Sequence, residues 1–176
     1  MPRFGRLLVD GIEFACRDVE RPAHPLLIGK GCEEIVIPVN RKITAIAVLG
    51  HVAVRGGYPS SKVLSVHHRD AEPARQLGDP AAEYEFVFKD GTVTVPLRHG
   101  MEILRSNNIC RWWTPEPRAP RTRPAVRAVI DKSYEILRLD LWEYPLPSVR
   151  HLKYIRWCLK DAEALLALWA VSVQVD

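Results

Sequence analysis

Apolar and polar residues in this chain alternate over many short stretches, separated by turns containing Gly, Pro and Asp. A period of two places successive side chains on opposite faces of an extended strand. The clearest case is Tyr84–Leu97. Tyr84, Phe86 and Phe88 share one face of the first run, and Val93, Val95 and Leu97 share one face of the second. Asp90-Gly91 between them supplies the positive φ values of a tight hairpin. Leu7–Ala15 carries the same signal around Asp10-Gly11. Glu34–Val39 is a nearly continuous apolar strand with Pro38 near its end, where a missing N–H is tolerated. The corner Asn40-Arg41-Lys42 separates it from a second buried strand, Thr44–Val54, whose small residues suit close packing of two sheets.

Lys62–His68 alternates loosely. Ala125–Ile130, Tyr134–Tyr144, Val149–Leu159 and Leu165–Val175 read as further strands, with Leu137, Leu139 and Leu141 forming a continuous apolar face. Cys16–Leu26, Arg55–Ser61, Arg69–Pro80 and Pro115–Pro124 read as loops or turns, Met101–Trp113 is irregular, and only Lys160–Leu166 has helical character. About nine or ten strands with turns between them predict an all-β fold. The reading is a single domain over residues 1–176, a jelly-roll β-sandwich of two antiparallel sheets.

Composition changes this picture little. At 176 residues, with 47% hydrophobic and 26% charged residues, the chain is long enough to bury a core without staples. It has no apolar run of about 18 residues, so no membrane partner is expected. Its start, MPRFGRLLVDG, lacks the apolar centre of a signal peptide. A cytosolic chain and a mature or excised domain both fit, so the localisation stays open. Cys16, Cys32, Cys110 and Cys158 have no CxxC spacing, which argues against a zinc knuckle. Cys16 and Cys32 can pair in an oxidising compartment; otherwise all four are expected as reduced thiols.

The net charge of +4 is mildly basic, and it is uneven. Arg111, Arg118, Arg121, Arg123 and Arg127 crowd one segment beside Trp112 and Trp113. Charge plus stacking is the chemistry of single-stranded nucleic-acid binding. The strands carry no basic and aromatic platform for it, so nucleic acid is not the expected partner. Trp112 and Trp113 face opposite ways if extended, so one is core and one is free to stack on the apolar face of a sugar, with Arg111 beside it as a hydroxyl donor. Arg98 offers a bidentate donor pair to a carboxylate, either a ligand's or that of Glu102. Trp142, before Pro145, is either a sugar contact at a loop tip or a structural aromatic. His51 ends an apolar strand alone, and the adjacent His67 and His68 diverge on a strand and cannot easily share a metal. Asn40, Arg41 and Lys42 form a polar corner.

No HExxH, GxSxG, phosphate-loop or Cys-His pattern occurs. Asp140 and Glu143, three apart on a strand, point to opposite faces and do not form the carboxylate pair of a glycosidase. No metal, cofactor or ligand-dense calcium loop is expected.

The order of the pieces resembles a known family. A Gly11-Ile12-x-Phe14 start precedes the Ile37–Lys42 corner and an apolar strand ending at His51. Then come Pro96–Gly100, Asn108-Ile109, Trp112-Trp113, the Leu139, Leu141 and Trp142 strand, Pro145 and Pro147, Val149 and Ile155, and finally Ala170 and Val171. This is similar to the galactose-binding-domain-like β-sandwich modules that accompany glycoside hydrolases. Two loop tips depart from the pattern. Tyr144 stands where the family has Asn, and His51 is displaced by one residue after Leu49-Gly50. The resemblance implies a non-catalytic carbohydrate-binding or accessory module. Its expected site is a shallow patch of Trp112 or Trp113 with Arg98, and with His51 and Trp142. The alternatives are a structural domain that packs against a catalytic partner and a small glycan-active hydrolase.

Overall fold

The computed structural model describes residues 4–17, 25–50, 52–55, 76–105, 119–130 and 135–175. Among these residues every regular element is a strand: β1 (Phe4–Val9), β2 (Ile12–Arg17), β3 (Leu26–Ile28), β4 (Glu34–Leu49), β5 (Val52–Arg55), β6 (Pro80–Phe88), β7 (Gly91–Arg98), β8 (Leu104–Arg105), β9 (Thr122–Ile130), β10 (Glu135–Leu159), β11 (Leu165–Leu168) and β12 (Ala170–Gln174). The all-β expectation holds.

The strands form a six-stranded sheet, a four-stranded sheet and the isolated hairpin β1–β2. The larger sheet runs β12-β4-β10-β6-β7, with β9 also on β10. Strand β10 is 25 residues long. One of its edges pairs with β4, while the other pairs first with β9 and then with β6. β7 is an outer strand of this sheet and contains Pro96, opposite Glu83. The smaller sheet runs β3-β11-β5-β8. One pairing departs from the antiparallel expectation: β5 and β8 run parallel, Val52 opposite Leu104.

One buried cluster joins the two sheets. Ile43, Ile46, Val48, Tyr84, Phe86, Phe88, Leu97, Trp142, Leu152, Ile155 and Trp157 of the larger sheet meet Ile28, Ala53, Leu166 and Leu168 of the smaller one. This is the sandwich-like layering that half-apolar strands require. The alternation predicted for the 84–97 hairpin is present, with Tyr84, Phe86, Phe88 and Leu97 all buried. A second cluster lies on the opposite face of the six-stranded sheet. Val9, Ile12 and Phe14 of the β1–β2 hairpin cover Ala47, Leu49, Leu139 and Leu141. The C-terminal half of β4 is therefore buried on both faces, which accounts for its unbroken apolar run. The hairpin turns at Asp10-Gly11 with φ of 48° and 80°, as its sequence predicts.

Three expectations are revised. The Asn40 corner does not separate two strands; it is a bulge inside β4, with Val39 and Asn40 opposite Lys153 and Asn40 at φ 49°. The break expected between Tyr144 and Val149 is likewise a bulge within β10, where Leu146–Val149 oppose Thr44. Pro147 lies within it and Pro145, opposite Ala45, at its edge, because neither can donate to a ladder. Finally, 160–164 is a turn rather than a helix. The Glu163 N–H bonds the Asp161 carboxylate at 3.2 Å and the Ala164 N–H bonds the Asp161 carbonyl at 2.9 Å, a local alternative to helical bonding. The predicted strand Lys62–His68 lies outside the described residues.

Candidate functional site

The outer face of the six-stranded sheet is half covered. The β1–β2 hairpin takes the half around Leu139 and Leu141, and Arg123 fastens its tip by bonding Asp10 at 2.9 Å and also Glu143. Both acids hold the Arg123 guanidinium above its usual range, Glu143 more than Asp10. The other half, over the C-terminal part of β10, has no described element on it. There Leu152, Ile155 and Trp157 point into the core with at most 1% exposure, so His151, Tyr154, Arg156 and Cys158 point outward. The strict period would bury Tyr154 with Leu152. The register shift at Lys153 turns Lys153 and Tyr154 outward together.

Cross-strand register orders this open face into rows. Lys42 lies beside His151, whose carbonyl accepts the Lys89 N–H at 3.0 Å. Pro38, Tyr154 and Val87 make the next row, then Val36, Arg156 and Glu85, then Glu34, Cys158 and Glu83. Neighbouring strands lie about 4.8 Å apart, so the members of a row are in lateral reach of one ligand. The first of the middle rows is apolar and aromatic, with Tyr154 half-buried; the second sets Val36, 50% exposed, beside Arg156 and Glu85. The Arg156 guanidinium sits 5.9 Å from the Tyr154 ring centroid and 3.0 Å from the Glu85 carboxylate. Tyr154 is thus a ring edged by donors and acceptors on the outer face of the sheet.

One end of the face is cationic. Lys42, Lys89 and Lys153 are exposed, and none of them forms an ion pair among the described residues. The neighbouring Asp90 is engaged by Arg150, whose guanidinium bonds it at 2.8 Å while capping the Phe88 ring at 3.8 Å. That bond holds the Asp90 carboxyl below its usual range. His151 Nε2 lies 2.8 Å from Asn40 Oδ1, so the ring donates there. Desolvation first, then Lys89, Lys42 and Lys153, lower the His151 pKa.

The opposite end is acidic. Glu83, Glu85 and Cys158 bring ligand atoms within 4.8 Å of one another. Lys160 is 2.7 Å from Glu83 and Arg156 is 3.0 Å from Glu85, so both carboxylates already have cationic partners. Burial and then Glu34, Glu85 and Glu83 push the Cys158 thiol up to about 11. It stays a thiol at neutral pH and lacks the character of a nucleophile. Cys32, also a free thiol, is exposed; Cys16 and Cys110 are not among the residues whose side chains are described.

Of the residues expected at a site, Trp112, Trp113 and His51 lie outside the described residues, as do His67 and His68. Trp142 is 4% exposed and stacks on Tyr84 and Tyr144 at centroid distances of 5.8 and 5.7 Å. Its ring is part of the core between the sheets. Arg98 engages Glu102, with Nη2 2.8 Å from Oε1, and the same carboxylate accepts the Arg98 backbone N–H at 2.9 Å. This contact holds the Arg98 guanidinium above its usual range and closes the Arg98–Glu102 turn. Next to it, His99 Nε2 lies 3.0 Å from a carboxylate oxygen of Asp161, fastening that turn to the β10–β11 connection. Asp140 is buried while Glu143 meets Arg123, so these two acids diverge as predicted.

Asn40 and Lys42 do converge with other groups, at the cationic end of the open face, whereas Arg41, opposite the inward Leu152, belongs to the other face. His151, Lys153, Tyr154 and Lys89 were not singled out from sequence. The signal for the first three is the segment Arg150–Tyr154, dense in cations and ending in an aromatic, and it points to a site only once its register against Asn40–Lys42 is known; Lys89 carries no such signal. Comparison with family models, with curated proteins and with solved structures found no match.

Proposed function

We propose that this chain is a non-catalytic carbohydrate-binding accessory module, a galactose-binding-domain-like jelly roll that works beside glycan-degrading enzymes. The observation that carries the reading is Tyr154. It is turned out of the core by a bulge onto a sheet face that no described element covers, with Arg156 5.9 Å from its ring, Glu85 in the row on one side and the His151–Asn40 pair on the other. A pyranose stacks on the ring while these groups bond its hydroxyls. The core shared by two sheets supports the sandwich half of the proposal. Affinity is weak, because few groups converge on one ligand. Trp112 and Trp113 remain candidates for a second contact region.

The test is a glycan-array screen of the purified chain, with Tyr154→Ala, Trp112→Ala and Trp113→Ala compared on each hit. Glycan binding lost in Tyr154→Ala and retained in the tryptophan variants places the site on the sheet face. Loss in a tryptophan variant alone moves it to the 106–118 segment. No hit with any glycan favours the rival reading, a domain that only packs against a catalytic partner through exposed apolar residues such as Val36 and Leu8.

A further inference from the structure

The open face is polarised along β10, and this narrows the kind of saccharide that fits it. We infer that it selects an anionic saccharide, one carrying a carboxylate or sulfate, with the anion held among Lys42, Lys89 and Lys153 and an adjoining ring over Tyr154. This rests on the carbohydrate-binding reading and deepens it.

Three observations carry the inference. The lysines come from three different elements, β4, the β6–β7 turn and β10, yet register brings all three around His151. Like charges placed together repel, and among the described residues no acid lies between these: Asp90 is engaged by Arg150, and no described acid pairs with Lys42, Lys89 or Lys153. A bound anion is the partner that offsets this repulsion. The lysines also act jointly on one point, because each lowers the basicity of His151. The groups facing His151 are these lysines, the Asn40 carboxamide and, beyond Lys89, the Arg150–Asp90 pair.

The acidic rows at the other end decide between polyanions. A nucleic acid carries a phosphate at every residue, so a strand laid along β10 would bring phosphates from the lysines onto Glu85, Glu83 and Glu34. It would also need successive aromatic platforms, and the open face has Tyr154 alone among its described residues. A saccharide with a charge at one end and neutral hydroxyls elsewhere meets both ends favourably. Its anion faces the lysines, and its hydroxyls donate to the carboxylates.

The experiment is titration calorimetry of the whole chain with four probes: tetragalacturonate, its fully methyl-esterified form, a sulfated tetrasaccharide and a thymidine oligonucleotide. The proteins are the parent chain, Tyr154→Ala and the triple variant Lys42→Ala/Lys89→Ala/Lys153→Ala. The exposed lysines are not part of the core, and circular dichroism checks that each variant stays folded. The inference expects an acidic probe to bind more tightly than the ester, with the triple variant weakened about tenfold toward it and unchanged toward the ester, as three exposed charge contacts would give. Tetragalacturonate and the sulfated probe decide which anion is preferred. Equal binding of acid and ester, with Tyr154→Ala weakening both, overturns the inference and leaves the binding-module reading standing. No binding of any saccharide overturns both. Tighter binding of the oligonucleotide, lost in the triple variant, replaces the saccharide with nucleic acid.

Discussion

Asn40 accepts a hydrogen bond from His151 at 2.8 Å, across a bulge that depends on Asn40 itself adopting φ 49°. The one residue thus shapes the backbone and fixes the orientation of the imidazole. Left-handed backbone costs an ordinary L-residue about 1–2 kcal/mol and costs Asn or Gly much less. Asn40→Val is therefore expected to destabilise the chain by about 2 kcal/mol in urea unfolding, whereas Asn40→Gly keeps the bulge and loses only an exposed hydrogen bond. Equal destabilisation by both variants would show that the backbone conformation is not what the position requires.

His151 titrates below its usual value because it is partly desolvated and faces Lys89, Lys42 and Lys153. The unfolded chain binds this proton first, near pH 6.5, so the contribution of His151 to stability is present above that pH. It is lost as pH falls from there through the lowered native value. Lys42→Ala removes one repelling charge, and an NMR titration should show the His151 pKa rising toward the usual value. An unchanged pKa would mean that the lysines do not act on it.

Gly50 sits at φ 70°, and a Cβ there would lie 2.7 Å from both Leu139 Cδ2 and Trp169 Cδ1. Gly50→Ala combines backbone strain with overpacking against the hairpin-covered cluster. It is expected to cost about 2–4 kcal/mol. Thermal melting checks this, and a variant that melts with the parent would mean that the cluster relaxes freely.

Phe86 is fully buried, 5.8 Å from the Tyr84 ring and 5.2 Å from Tyr144. Truncation to Ala should cost about 3–5 kcal/mol, a large share of a typical domain's 5–15 kcal/mol. Leu8 is equally apolar but 71% exposed, and Leu8→Ser should stay within about 0.5 kcal/mol. Denaturant midpoints for the pair test whether burial, rather than hydrophobicity, sets the cost.

The sequence made the hairpins legible because Asp10-Gly11 and Asp90-Gly91 are local turn chemistry and the faces beside Asp90-Gly91 follow a strict period. Leu139 and Leu141 were legible as one face for the same reason. Tyr154 was not. A bulge breaks the period at Lys153, and the bulge is set by pairing with a segment more than a hundred residues away. The cationic end was hidden similarly, since Lys42, Lys89 and Lys153 are ordinary surface lysines until register joins them. Trp142 drew attention as a loop-tip aromatic because Pro145 and Pro147 look like a loop, yet β10 continues through them as a bulge and holds Trp142 inside.

Pro96 in β7 has a consequence for how the molecule meets other chains. A proline is tolerated in that ladder only if its missing N–H faces away from β6, and so toward the rim of the sheet. A foreign strand seeking to extend the sheet by backbone pairing finds no donor at that point, which discourages edge-to-edge aggregation. Recognition along this rim then falls to side chains, and the broad surface of β10 is better placed to provide them than β7.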